Sequence, residues 1–81
     1  MQANEVQELL IAGLDDCEVR VSGDGSHFDL LIVGEIFEGL RPVKQQQLVY
    51  AVLNPYIADG RIHAVNMRLF TPSQWQAQGD V

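Results

Sequence analysis

The sequence predicts an α+β fold in the order α-β-β-α-α-β-α, with helices packed on one face of a three-stranded mixed sheet. Three observations carry this. The apolar period changes from helical to two at Cys17. Turn residues Gly23-Asp24-Gly25 separate two alternating segments. A long helical stripe through Val49, Val52, Leu53, Tyr56 and Ile57 then leads to a third alternating segment.

Near the start, Asn4 is a candidate N-cap with Gln7 three residues on, and Val6, Leu9, Leu10 and Leu14 share one helical face that Gly13 closes. Cys17, Val19 and Val21 then alternate with Glu18, Arg20 and Ser22, which reads as a half-buried strand. After the turn, Phe28, Leu30 and Ile32 occupy one face and Leu31 and Val33 the other. A strand apolar on both faces belongs at the centre of its sheet.

Pro42 suits the first turn of the crossover helix. Asn54-Pro55 predicts a break, because proline removes a helix hydrogen bond, with Asn54 capping a second short helix that Gly60 ends. Val65, Met67 and Leu69 form a third strand from about residue 62, reached by a helical crossover and therefore expected parallel to the second. Thr71-Pro72-x-Gln74 reads as cap, first helical residue and capping-box partner of a last helix carrying Trp75, beyond which the tail is expected to fray.

Composition narrows the function classes. The 81 residues make one domain, 1–81. A single cysteine excludes an intramolecular disulfide framework and a cysteine-based zinc site. No apolar run reaches the ~18–20 residues of a membrane span, and the start lacks a basic secretory region, so a cytoplasmic protein is expected. The net charge of −6 argues against bulk affinity for nucleic acid or anionic membrane. It is unevenly spread: residues 1–40 carry nine acids against Arg20, whereas residues 41–81 carry Arg41, Lys44, Arg61 and Arg68 against Asp59 and Asp80.

The topology brings two residues of chemical interest together. Parallel neighbouring strands begin at the same end of a sheet; His27 opens the second and His63 the third. With strands ~4.8 Å apart, the two imidazoles can approach each other across 36 sequence positions. Cys17 begins the antiparallel first strand, at the other end, ~15–20 Å away. An imidazole pair is a candidate metal site for zinc, copper or iron, but two ligands leave it incomplete, so a partner must supply the rest, thiolates above all. Spacing alone favours a plainer reading, in which His63, sharing parity with Val65, ends the core and His27 ends the turn. Cys17, at apolar parity, reads as a small buried hydrophobe. No G-x-S-x-G is present, and Gly23-Asp24-Gly25 carries an acid where a phosphate loop needs a lysine. An enzyme is not expected from one incomplete constellation.

Five motifs recur in one known order: Gly25-Ser26-His27-Phe28, Phe37-x-Gly39, Val49-Tyr50 with Leu53, Ile62-His63-Ala64, and Thr71-Pro72-x-x-Trp75. Over about two-thirds of the chain this pattern resembles the BolA family, nearest its IbaG/YrbA branch in the short Val21–Phe28 loop and in Lys44-Gln45-Gln46. The wider family has Arg-His where Gln45-Gln46 stand here, and a longer first loop bearing His or Cys. The resemblance implies a class II KH-like fold. It also implies partnership with a monothiol glutaredoxin through a bridging [2Fe-2S] cluster, in which partner and glutathione contribute thiolates and the BolA-type protein contributes histidine. His63 matches the family histidine; His27 is the second metal-ligand candidate by geometry, replacing the shortened loop. No cofactor is expected in the isolated protein, which is expected to be a monomer or weak homodimer and to have no membrane partner. The family's alternative role is nucleic-acid binding in transcriptional or stress regulation, for which Arg41, Lys44, Arg61 and Arg68 are the candidate contacts.

Overall fold

A computed structural model of the chain describes residues 1–79, the side chain of Asp24 excepted. Helix α1 (Ala3–Gly13) precedes a hairpin of β1 (Cys17–Asp24) and β2 (His27–Gly34); a one-turn 3₁₀ helix (Glu35–Phe37), α2 (Pro42–Ala58), β3 (Ala64–Phe70) and α3 (Pro72–Gly79) follow. The sheet order is β1-β2-β3, with β1 antiparallel and β3 parallel to β2. The doubly apolar strand is therefore central, and the crossover delivers β3 parallel to it, as the pattern requires. The fraying expected after Gln78 does not hold for Gly79, the last residue of α3, and for Asp80 and Val81 lies outside the described residues.

The core forms where the two periodicities meet. Val19, Phe28, Leu30 and Ile32 point from one sheet face at Val6, Leu10 and Leu14 of α1 and at Val49 and Leu53 of α2. The other face carries Glu18, Arg20, Ser22, Asp29, Asn66 and Arg68, all exposed. Helix α3 sits at the end of β3. Its Trp75 ring lies 5.5 Å from Phe70, and Thr71 caps it: the Gln74 N–H donates to the Thr71 hydroxyl (3.2 Å), and the Thr71 N–H donates to the Gln74 side chain (2.9 Å).

Three local expectations are corrected. Asn4 is not the first cap. Helix α1 begins at Ala3, the N–H of Gln2 donating to Glu5 Oε1 at 2.8 Å, because a glutamate stands three residues from Gln2. Gln7, freed from that task, accepts from the N–H of Val21 at 3.3 Å and joins α1 to edge strand β1.

The break at Asn54-Pro55 is also absent, for α2 runs through Pro55 to Ala58 as one helix. Proline removes one hydrogen bond there, in the last turn, where it disturbs least. That turn is then held from beyond: Asp59 N–H donates to Pro55 O (3.2 Å), and Ile62 N–H donates to Tyr56 O (3.1 Å). Fully buried Val49 and Leu53 fix the helix upstream while Tyr56 and Ile57 pack against the core downstream. Finally, β3 starts at Ala64 rather than near residue 62, because buried Ile62 still belongs to the connection.

Candidate functional site: a histidine pair at one rim of the sheet

His27 and His63 meet at the end of the sheet where β2 and β3 begin. His27 lies opposite Ala64 in the β2–β3 register, and His63 immediately precedes that pair. One backbone carbonyl holds the junction: Ser26 O accepts from the N–H of His63 (2.8 Å) and from that of Ala64 (3.2 Å). The hairpin sets the other side. Gly23, at φ +117°, lies so close to the His27 carbonyl that a Cβ would collide with it. Glycine is therefore required where the chain brings His27 to the rim.

The imidazole centroids are 6.5 Å apart with the rings tilted by 55°. Both histidines are exposed, so His63 does not end the core despite its parity; it lies outside the strand. Among the described side chains neither imidazole has a hydrogen-bond partner. Asp29, next but one to His27, is engaged: Asn66 Nδ2 donates to its Oδ1 at 3.0 Å. No group of three potential metal-binding side chains occurs among the described residues. The donor set is thus two imidazole ligands on one rim, which fits half of a four-ligand centre and no more.

Cys17 stands apart. It pairs with Gly34, seven residues along β2 from His27, or on the order of 23 Å at ~3.3 Å per residue. The thiol donates to Asp15 O at 3.4 Å, and burial pushes its pKa up, with the carboxylates of Asp15 and Asp16 adding to the effect. A thiol kept protonated is a poor nucleophile and a poor metal ligand.

A family model for BolA-like proteins matches residues 13–74, a span that holds the whole sheet and both histidines. The chain belongs to the BolA family. It is 53% identical over 75 residues to the acid stress protein IbaG of Escherichia coli K12, covering 93% of this chain and 89% of that one. A BolA-like protein of Dictyostelium discoideum is 35% identical over 83 residues, covering 90% and 73% respectively. Among solved structures, BolA1 of Arabidopsis thaliana superposes with a TM-score of 0.76 at 32% identity, over 89% of this chain and 93% of that one. A BolA homologue of Coxiella burnetii superposes at 0.82 with 26% identity, covering 94% and 97%.

The four candidate nucleic-acid contacts of this BolA-family chain are not gathered. Arg41 is the N-cap residue of α2 and Lys44 lies in its first turn, both exposed. Arg61 follows the far end of that helix, about 25 Å away at ~1.5 Å per residue. There it pairs with Asp59 at 3.2 Å and lies 6.0 Å from the Tyr56 ring. Arg68 is on the open sheet face, 5.8 Å from Phe70.

Ser26 and Gln45 fall within the family-like motifs, but the contacts that give them structural tasks are not read from pattern. Ser26 acts through its carbonyl, which no side-chain motif reports. Gln45 donates from Nε2 to the carbonyls of Phe37 and Leu40, 3.1 Å each, and closes the loop that launches α2. Gln45 thus has a structural task at a position where the wider family carries a basic residue. Among the described residues, no helix is long and apolar enough to cross a membrane.

Proposed function

We propose that this chain is a non-enzymatic adaptor of the BolA type, which docks a monothiol glutaredoxin and helps hold, transfer or sense a bridging [2Fe-2S] cluster. The observation that carries the reading is the His27–His63 pair, 6.5 Å between centroids, exposed and short of ligands. His63 is the primary ligand and His27 the second. The chain's one thiol is at the opposite end of the sheet, so thiolates come from the partner's cysteine and from glutathione. When bound, the cluster supplies one-electron chemistry and a transferable iron–sulfur unit. The chain's own contribution is to present imidazole nitrogens from a backbone fixed by Ser26 O. A role under acid stress is taken from the name of the Escherichia coli relative and belongs to the same proposal.

Nucleic-acid binding ranks second. Four basic side chains spread over both ends of α2 and the open sheet face, on a chain of net charge −6, offer no continuous phosphate track.

The test reconstitutes a cluster on the glutaredoxin with glutathione and adds this protein. Visible circular dichroism should change as the heterocomplex forms. His63→Ala should abolish that change and His27→Ala should weaken it. An unchanged spectrum with the unaltered protein overturns the reading.

A further inference from the structure

We propose that the same rim forms a second, thiol-free metal site: two copies of the chain, facing each other through His27 and His63, share one tetrahedral divalent zinc ion with four imidazole ligands. The inference uses the histidine pair of the cluster reading but neither its partner nor its glutathione.

The donor count points to a second copy. Zinc in closed sites takes four ligands, and imidazole is among its preferred donors. The rim offers two, and the described side chains supply no third. Asp29 is held by Asn66, and Cys17 is at the far end of the sheet. A twofold axis through the metal doubles two ligands to four with no contribution from any other molecule, since an isologous contact repeats each residue on both sides.

The geometry is within reach. With Zn–N at about 2.0–2.1 Å, two imidazoles at a tetrahedral angle place their centroids about 5.2 Å apart. The observed separation is 6.5 Å, so the rings must close by roughly 1.3 Å. Both side chains are exposed and have no hydrogen-bond partner among the described residues, so rotation about their side-chain bonds achieves this without moving packed atoms. The backbone beneath stays fixed by Ser26 O, which limits the entropy lost on binding. Of the residues flanking the pair, Ser26 and Ala64 are small, and Phe28 and Ile62 are buried out of the way of a second copy. The chains repel each other at net charge −6, which explains why the contact would require the cation.

The experiment titrates ZnCl₂ into the untagged protein without glutathione, followed by calorimetry and sedimentation equilibrium. The expected result is one zinc per two chains with a doubling of mass that a chelator reverses. Co²⁺ in place of zinc should give the intense visible bands of a tetrahedral ion. His27→Ala and His63→Ala should each raise the zinc concentration needed for dimerisation by roughly tenfold or more. Far-ultraviolet circular dichroism checks that both variants are folded. Binding of zinc without dimerisation, a dimer insensitive to both substitutions, or no binding overturns the proposal. If the zinc dimer is absent while the glutaredoxin heterocomplex still forms, this inference alone fails. If the zinc dimer forms and the heterocomplex does not, this inference stands and the cluster reading alone fails.

Discussion

At one end of the sheet Cys17 lies over Gly34 so closely that a single added methyl would collide with its sulfur. At the other end His27 and His63 are exposed to solvent. Both ends are built on the same two strand pairings, yet one is defined by side-chain packing and the other by backbone hydrogen bonds. Close packing ties a residue's identity to stability. A rim held by Ser26 O leaves its side chains free of any structural duty, and that freedom makes an exposed imidazole available to a ligand. The comparison therefore predicts where substitutions will unfold the protein and where they will leave the fold intact.

The largest effect is expected at the packed end. Phe37, fully buried in the turn that leaves β2, joins the core directly beyond Gly34. Phe37→Ala should cost about 3–5 kcal/mol in urea-induced unfolding, because the cavity adds to the lost transfer energy. Small domains have about 5–15 kcal/mol in total, so this variant should be near the limit of folding.

Next comes Gly34→Ala. Gly34 is extended, at φ −165°, so the substitution is free of backbone strain and its cost is steric, directed at Cys17 Sγ. About 1–3 kcal/mol of destabilisation is expected. The double variant Cys17→Ala/Gly34→Ala should recover most of it. Additive losses in that cycle would show that the two residues do not meet as described.

Much of this comparison was legible in the sequence. Alternation at Cys17–Val21 and Phe28–Val33 and the stripe through Val49 and Leu53 report burial, and burial decides which face each element turns inward. The rim followed from topology, since a helical crossover makes β2 and β3 parallel and aligns their first residues. What pattern could not report was competition between alternatives of similar energy. Gln2 with Glu5 displaced Asn4 as the first cap, and the continued helix outcompeted a break at Pro55 because the following chain satisfies Pro55 O and Tyr56 O. Backbone acceptors such as Ser26 O, and long-range side-chain donors such as Gln45 Nε2, leave no periodic trace. The exposure of His63 was missed for a related reason. Parity holds only within a paired strand, and His63 precedes the first pair.

The thiol at the packed end gives a smaller, pH-dependent contrast. Burial and two nearby carboxylates raise the pKa of Cys17 in the folded state. The unfolded chain therefore loses this proton first as pH rises. The associated stabilisation is full below the ordinary thiol range and is lost as pH climbs through the raised folded value. Unfolding free energy measured across that alkaline window should fall less steeply for Cys17→Ala. Iodoacetamide should likewise modify the native protein more slowly than the urea-unfolded one at the same pH.

The smallest stability effects belong to the rim, and they sharpen the comparison most. His27→Ala and His63→Ala remove exposed side chains and leave the donors and acceptors of the junction in place, since Ser26 O accepts from the main-chain N–H of His63 and Ala64. Each should change unfolding free energy by no more than about 0.5 kcal/mol, as for other surface sites. The same variants are expected to remove metal-dependent behaviour. A loss of several kcal/mol would mean that the imidazoles help hold the sheet together, and the division between a packed end and a ligand-bearing end would no longer stand. Unchanged stability with lost binding would place His27 and His63 on the functional side of that division, because a side chain the fold does not need can affect only what the protein meets.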